Sequence, residues 1–207
     1  MGNLNADDVV SWRKFFGGSY LTADALKESG PVTLTIRDYA REELTDPKTE
    51  EIRVKLVLYF EEDPRGLVLN KTTALCMDAM FGEDVRGWVG NGLTLYCDPS
   101  VKVGRNVVGG VRIKGSPDIP ARTMVRVKLP KRRAQELTME VTAPSPFGAL
   151  MGVLADNGLT RDDFDAWAVA AGRSPVSAMS LVQMGGAATW LSGKGAAVVK
   201  ASKGGEE

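Results

Sequence analysis

Apolar and polar residues alternate through much of residues 30–130, and this period of two predicts β-strands. The clearest case is residues 32–37, where Val32, Leu34 and Ile36 alternate with polar side chains. Between two of the predicted strands the period lengthens to that of a helix, which the spacing places over residues 70–81. The predicted strands span residues 32–37, 52–60, 66–69, 93–97, 101–108, 111–114 and 124–129.

The order of these elements predicts the fold of the first part of the chain. Three strands, one helix and then further strands is the order of the OB-fold, a five-stranded and partly open β-barrel. A β-sandwich is the alternative, because it is also built from several short strands. The position of the helix favours the barrel. We therefore predict a mainly β protein, with an OB-fold-like five-stranded barrel, an inserted helix and a small C-terminal helical domain.

Changes in composition divide the chain into four segments. Aromatic and basic residues at 12–16 belong to the first, and they would clamp a bound strand or pack on the barrel or on a second subunit of a homo-oligomer. Helix formers over residues 148–154, 162–171 and 181–191 belong to the third. The segments are an N-terminal arm over 1–28, the OB-fold-like barrel over 29–142, a small helical domain over 143–200 and a disordered tail over 201–207.

The absence of histidine narrows the function more than any other compositional feature. Histidine is the commonest general base and metal ligand, so its absence removes Ser-His-Asp and Cys-His systems and nearly all catalytic zinc sites. Cys76 and Cys97 lie in apolar stretches and are interpreted as buried thiols. Acidic runs leave a carboxylate-bound metal as an alternative, but they flank strands and are typical of solvated loops. We predict a binding protein, not an enzyme, with no cofactor and no metal.

The sequence predicts no membrane or secretory segment. Its first residues carry acid where a signal peptide carries basic residues. No stretch approaches the roughly 18 apolar residues of a membrane span. We therefore expect a protein of the cytoplasm that makes no contact with membranes.

The formal net charge is zero, but the charges are segregated along the chain. Residues 86–133 hold eleven basic residues against two acidic ones, whereas residues 38–63 hold nine acidic residues against four basic ones. A surface that serves only solubility would mix the two signs. The basic window therefore indicates a surface for a polyanion.

Strand alternation also brings basic and aromatic side chains together on the outward faces of the predicted strands. A single strand of nucleic acid needs cations along its phosphates and aromatic faces for its bases. Trp88, beside a glycine-rich turn, is a further stacking candidate, with core packing as its alternative. The predicted nucleic-acid-binding residues are Arg37, Tyr39, Arg53, Lys55, Tyr59, Trp88, Tyr96, Arg112, Lys114, Arg126 and Lys128.

Four short runs carry a resemblance to a known family. Residues 66–74, 81–84, 88–90 and 93–96 resemble bacteriophage OB-fold single-stranded DNA-binding proteins. The resemblance implies an accessory role in phage DNA replication or recombination inside the host cell. The C-terminal part is similar to small helical modules of phage recombination proteins, which implies that residues 146–200 bind a replication or recombination protein.

The leading hypothesis is sequence-tolerant binding of single-stranded DNA. Duplex DNA and RNA are alternatives, because phosphate contacts carry no sequence information. A structural β-barrel protein of the phage tail or baseplate is a second hypothesis. A third is an adaptor that binds a host protein through the helical domain.

Overall fold

The computed structural model describes residues 18–45, 49–103, 106–107, 109–128 and 134–203. The aromatic and basic cluster predicted at residues 12–16 and the last four residues of the predicted tail lie outside this part of the chain. The described residues form two units with separate hydrophobic cores. We call residues 18–142 the β unit and residues 143–203 the helical unit.

The β unit contains one seven-stranded mixed sheet and one small hairpin. The strands are β1 (Val32–Thr45), β2 (Ile52–Phe60), β3 (Leu67–Val68), β4 (Gly92–Asp98), β5 (Lys102–Val103), β6 (Asn106–Val107), β7 (Gly110–Ser116), β8 (Thr123–Val127) and β9 (Gln135–Val141). The sheet has the order β3-β2-β1-β4-β7-β9-β8, and β5-β6 form the hairpin. Among the pairs of described strands, only β7 with β9 is parallel. The order has two free ends, so the sheet is open, and the predicted closed set of five strands is not formed by these ladders.

One strand of the sheet was not among those predicted. Leu137, Met139 and Val141 of β9 alternate with polar residues, but the basic run at 131–133 and the prolines that follow mask this short pattern. The segment predicted as a strand over 101–108 forms the two short strands β5 and β6 instead. The barrel prediction therefore counted too few strands, because β9 and the hairpin carry weak sequence signals.

β1 is the longest strand and joins the two halves of the sheet. Its residues 32–35 pair with β4, and its residues 36–45 pair with β2. A bulge at Arg37 lies near the start of the stretch paired with β2, and bulges of this kind bend a strand. Glu42 and Glu43, predicted as part of a loop, continue the strand because β2 pairs with it as far as Ile52.

The helix predicted between the third and fourth strands is confirmed. We name α1 (Ala23–Ser29) and α2 (Lys71–Phe81), which a 3-10 turn at Val85–Trp88 follows. The side chains of Asn70 and Thr73 cap α2 reciprocally, and Gly82 ends it with a positive φ of 83°. Buried residues of α2 pack against the sheet in one core, which includes Leu34, Leu58, Phe60, Cys76, Met77, Leu93, Leu95 and Met139.

The helical unit consists of four α-helices, a 3-10 turn at Val176–Ala178 and a π-helical turn at Leu191–Gly195 among the described residues. Its core centres on Leu150, Leu154 and Phe164, and the rings of Trp167 and Trp190 stack with centroids 4.7 Å apart. The chain is helical as far as Lys203, so the prediction of a disordered tail from residue 201 is wrong for its first three residues. The helices are α3 (Pro146–Asp156), α4 (Arg161–Ala170), α5 (Leu181–Trp190) and α6 (Ala196–Lys203).

A buried chain of hydrogen bonds connects the two units. The Ser145 Oγ caps α3 by accepting from the Gly148 N–H at 2.8 Å. The same Oγ lies 2.6 Å from the Thr35 Oγ1, which donates to the Glu62 carboxylate at 3.1 Å. Thr35 and Ser145 are buried, so each hydroxyl needs these partners. The link therefore holds the first turn of α3 against β1.

Asp163 makes the stability of the helical unit depend on acid pH. Its carboxylate accepts from the Thr160 N–H at 2.9 Å and pairs with the Lys203 ammonium at 2.9 Å. These contacts hold the pKa of Asp163 at about 2. Because this is below the pKa of an aspartate in an unfolded chain, the stabilisation is complete above about pH 4 and is lost as the pH falls through 2.

We therefore expect the melting temperature of the helical unit to fall between pH 4 and pH 2, as measured by circular dichroism. Asp163→Asn should lower the melting temperature at pH 6 and flatten this dependence. Asp162→Asn, a change at the exposed neighbouring position, is the control and should keep the wild-type profile. A wild-type profile in Asp163→Asn would contradict the assignment.

Candidate functional site

A cleft of about 1130 Å³ opens between β7 and β9. The two strands are joined only where Gly115 pairs with Glu140 and Ser116 pairs with Val141. The earlier parts of both strands line the cleft from opposite sides, and residues of α2 line it as well. Three of the predicted residues, Tyr96, Arg112 and Lys114, line it.

β4 and β7 bring three predicted residues together beside the cleft. Tyr96 and Arg112 are direct cross-strand partners, so their side chains are neighbours. Lys114 lies at a bulge of β7, since Leu95 pairs with Ile113 and Thr94 pairs with Gly115, and it lines the same cleft. The Arg112 Nη1 donates weakly to the Val111 carbonyl at 3.4 Å, and no described carboxylate lies within ion-pair distance of it. The guanidinium is thus available to an anion.

Three carboxylates balance the cations of the cleft. Glu140 lies 3.7 Å from the Lys114 ammonium, and Glu136 lines the β9 side. The Ser100 hydroxyl donates to Asp98 at 2.6 Å and holds the pKa of that carboxyl below its usual range. Asp98 therefore stays ionised and engaged at neutral pH. The cleft is of mixed charge, with Arg112 as its unpaired cation among the described residues.

Tyr96 keeps its phenol proton in this setting. Burial raises the pKa of Tyr96, the nearby Asp98 carboxylate raises it further, and Arg112 opposes both. The ring is half-buried, with its hydroxyl neutral at every physiological pH. A neutral ring beside a guanidinium can stack on a flat aromatic ligand while the cation meets a negative charge.

The cleft also reaches the buried Cys76 on α2. Burial raises the pKa of the Cys76 thiol to about 11, against a smaller opposing effect of Arg112. The thiol is therefore protonated at neutral pH and is a poor nucleophile. Thr72 and Thr73 line the same wall, and the Thr73 hydroxyl is occupied by the α2 cap. This wall therefore helps to shape the cleft and places the Thr72 hydroxyl in its lining.

Arg53, Lys55 and Tyr59 lie in a different part of the sheet. Arg53 pairs with Leu44 and Leu95 pairs with Val32, which places them twelve residues apart along β1, or roughly 40 Å of strand at 3.3 Å per residue. Arg53 also forms an ion pair with Glu51 at 2.6 Å. The structure therefore does not bring these residues together with Arg112.

The Tyr59 hydroxyl is hydrogen-bonded within the β unit. Its hydroxyl donates to the Glu42 carboxylate, which also accepts from the Tyr20 hydroxyl. The hydrogen bond to Glu42 raises the pKa of Tyr20. The chain before α1 lies along β3 at this point, where Leu21 donates to the Gly66 carbonyl at 2.8 Å. This cluster fixes the N-terminal segment on the sheet.

Three further predicted residues have settings that differ from the expected outward strand face. Trp88 is only 4% exposed, and its Nε1 donates to the Gly82 carbonyl at 2.7 Å, so it is a core residue whose ring offers no open face for a base. Tyr39 is half-buried against the same core because its cross-strand partner is the buried Leu58. Arg37 sits at the bulge of β1 and lines a second cavity of about 330 Å³ beside α3.

Arg126 and Lys128 belong to the last strand of the sheet and its end. β9 lies between β8 and β7, so these cations stand on the far side of β9 from Arg112. Both side chains are exposed, whereas Val125 and Val127 are buried. The eleven predicted residues thus fall into several separate places, of which the cleft unites Tyr96, Arg112 and Lys114.

The sequence analysis did not include the β9 side of the cleft. Glu136, Thr138 and Glu140 alternate with Leu137 and Met139, and this period of two was the signal that could have placed them on a strand. Their position opposite β7 follows from a parallel pairing between strands that are not consecutive. Sequence alone does not indicate which strands pair in this way.

The described residues contain no group of three or more cysteine, aspartate and glutamate side chains placed to hold a metal ion. In the same part of the chain, no helix has the length and apolar character needed to cross a bilayer. Comparisons of the chain with protein-family models, with curated proteins and with solved structures find no match.

Proposed function

We propose that this protein binds single-stranded DNA in the cleft between β7 and β9, in support of phage DNA replication or recombination. The observation that carries the proposal is the pair formed by Tyr96 and Arg112, with Lys114 beside it, on one wall of the cleft. An aromatic ring next to an unpaired guanidinium matches the two demands of a nucleotide, a stacking surface and a phosphate contact.

The plan of the β unit supports the same proposal. A long bent first strand shared by two halves of a sheet, with a helix between the third and fourth strands, follows the plan of the OB-fold. We propose that the β unit is a barrel-like member of that class, whose main sheet has two strands more than the five of the OB-fold. OB-folds bind oligonucleotides on a strand face and with the loops around it.

In the proposed complex the base stacks on Tyr96 and the phosphate contacts Arg112. Lys114 provides a second cation once the phosphate replaces Glu140 as its partner. No side chain of this set reads a base edge in a defined pattern, so binding is tolerant of sequence. The phosphate contacts also make affinity fall as salt rises, by a slope of about 0.7 per contact for single strands.

Tyr96→Ala is expected to lower the affinity for a fluorescent oligo-dT by about 5- to 150-fold, because stacking contributes ~1–3 kcal/mol per base. Arg112→Gln should lower the affinity as well and reduce the salt slope by about 0.7. The measurement is fluorescence anisotropy at three salt concentrations. The double variant Arg53→Glu with Lys55→Glu reverses two charges on the distant strand β2 and serves as the control.

The outcomes separate the two surfaces. If the β2 double variant loses affinity while Tyr96→Ala and Arg112→Gln bind like the wild type, the site lies on β2 and the proposed cleft site is wrong. No binding by the wild-type protein at low salt would overturn the function itself. Parallel titrations with duplex DNA and RNA at matched salt test the preference, which we expect to be for the single strand because only unpaired bases can stack on Tyr96.

A further inference from the structure

The two edges of the seven-stranded sheet differ in whether another described segment of the chain bonds to them. At the β3 edge the chain covers its own strand, since Leu21 donates to Gly66 and Gly66 donates to Ser19 at 2.9 Å. At the other edge β8 pairs only with β9, and no described residue bonds to its outer side. An open strand edge is a template for pairing with another chain. β8 is therefore the edge that can accept a strand.

The residues of β8 favour such an addition. The strand contains no proline or glycine, and its inward Val125 and Val127 are anchored in the core. Met124 is 67% exposed in the middle of the outward face, an unusual position for a large apolar side chain at an open edge. A neighbouring strand on this edge would cover it.

Charge defines the kind of strand that fits. Arg122, Arg126 and Lys128 are exposed on the outward face, and none of them forms an ion pair with a described residue. Glu136 is the cross-strand neighbour of Arg126 on β9 and is the acid nearest to this row in the ladder. A strand with acidic residues at alternate positions would pair with these cations.

A second copy of β8 does not fit the edge. Antiparallel pairing of two β8 strands keeps their faces aligned when it is centred on Met124, Val125 or Arg126. Each of these registers sets two cations opposite each other, namely Arg122 and Arg126, Arg122 and Lys128, or Arg126 and its own copy. Like charges directly opposite each other destabilise a strand pair.

We propose that the β8 edge binds an extended acidic segment of a partner protein by β-strand addition. The backbone of the segment continues the sheet, its acidic side chains meet Arg122, Arg126 and Lys128, and an apolar side chain covers Met124. Main-chain bonds supply affinity in this mode of recognition, and the alternate side chains supply specificity. The surface is separate from the nucleic-acid cleft, because β9 lies between them.

The test uses the full chain and a fluorescent peptide of seven residues. Written from its N-terminus, the peptide reads glutamate, valine, glutamate, valine, leucine, threonine, glutamate, so that antiparallel pairing sets its acids opposite the three cations. A second peptide is N-methylated at two consecutive central residues, one of which must face β8. It keeps the charge and removes a ladder bond. Anisotropy measures both affinities, and hydrogen exchange measures protection of residues 123–127.

We expect the first peptide to bind at least ten-fold more tightly than the methylated one and to slow exchange in β8. Arg126→Glu with Lys128→Glu should abolish this binding, and Lys200→Glu, a charge reversal on α6, should leave it unchanged. Equal binding of both peptides would show that charge alone holds the peptide, and it would overturn the proposal. No peptide binding, combined with oligo-dT binding that depends on Arg126 and Lys128, would assign the edge to nucleic acid instead.

Discussion

Gly115→Ala is expected to separate β7 from β9 and to lower the free energy of unfolding of the β unit by about 3 kcal/mol. A Cβ atom at residue 115 would lie 1.8 Å from the Glu140 carbonyl oxygen and 2.6 Å from the Glu140 nitrogen. Both are backbone atoms of the paired strand, so they cannot rotate away as a side chain would. The strands must move apart, and the two parallel pairs that close the cleft are lost with that movement.

Urea denaturation monitored by circular dichroism measures this effect, with Gly152→Ala as the matched control. Gly152 lies on the exposed side of α3, and a Cβ there meets nothing within 4 Å. Alanine is the better helix former by about 1 kcal/mol, so the control should be slightly stabilised. A loss below about 1 kcal/mol in Gly115→Ala would show that β7 and β9 are not packed this closely.

Phe164→Ala is expected to cost the helical unit about 3–5 kcal/mol, which is comparable with the whole stability of a domain of this size. Phe164 is 1% exposed, and its ring lies 5.6 Å from that of Trp167, which stacks in turn on Trp190. Removal of the ring leaves a cavity between α4 and the rest of the core. The stacked tryptophan pair loses its support at the same time.

Near-ultraviolet circular dichroism monitors the packing of Trp167 and Trp190, and Trp88 of the β unit adds a signal that the substitution should leave unchanged. Phe164→Leu keeps most of the volume and should cost less than about 1.5 kcal/mol. Val169→Ala, at a position of α4 that is 62% exposed, is the control and should change stability by at most about 0.5 kcal/mol. An effect of Phe164→Ala as small as that of the control would show that Phe164 is not a core residue.

Local sequence patterns predicted much of the fold because their signals are short in range. Alternation over residues 32–37 and 52–60 corresponds to β1 and β2, and the capping residue Asn70 and the terminating Gly82 set the ends of α2 correctly. Composition predicted α3, α4 and α5 of the C-terminal part, whereas α6 was not among the predicted helices. Each of these features depends on neighbours within a few positions, which the sequence displays directly.

Local sequence patterns predicted the candidate site less well than the fold. Alternation separates the two faces of a strand, but it does not show which face a neighbouring element covers. Tyr39, Trp88 and Tyr96 were all predicted to stack on bases, and only the tertiary packing places the first two against the core. Arg53 and Arg112 both alternate with apolar residues, and the register of β1 separates them by most of its length.

The sequence by itself determined the local elements, the absence of sites that need histidine and the segregation of charge. These features depend on composition and on spacing along the chain. The tertiary structure decided the open order of the sheet, the parallel contact of β7 with β9 and the cleft it borders. It also decided that Tyr96 and Arg112 are neighbours and that no described residue pairs with the outer side of β8. These features arise from contacts between segments distant in the chain, and a local pattern carries no record of its distant partner.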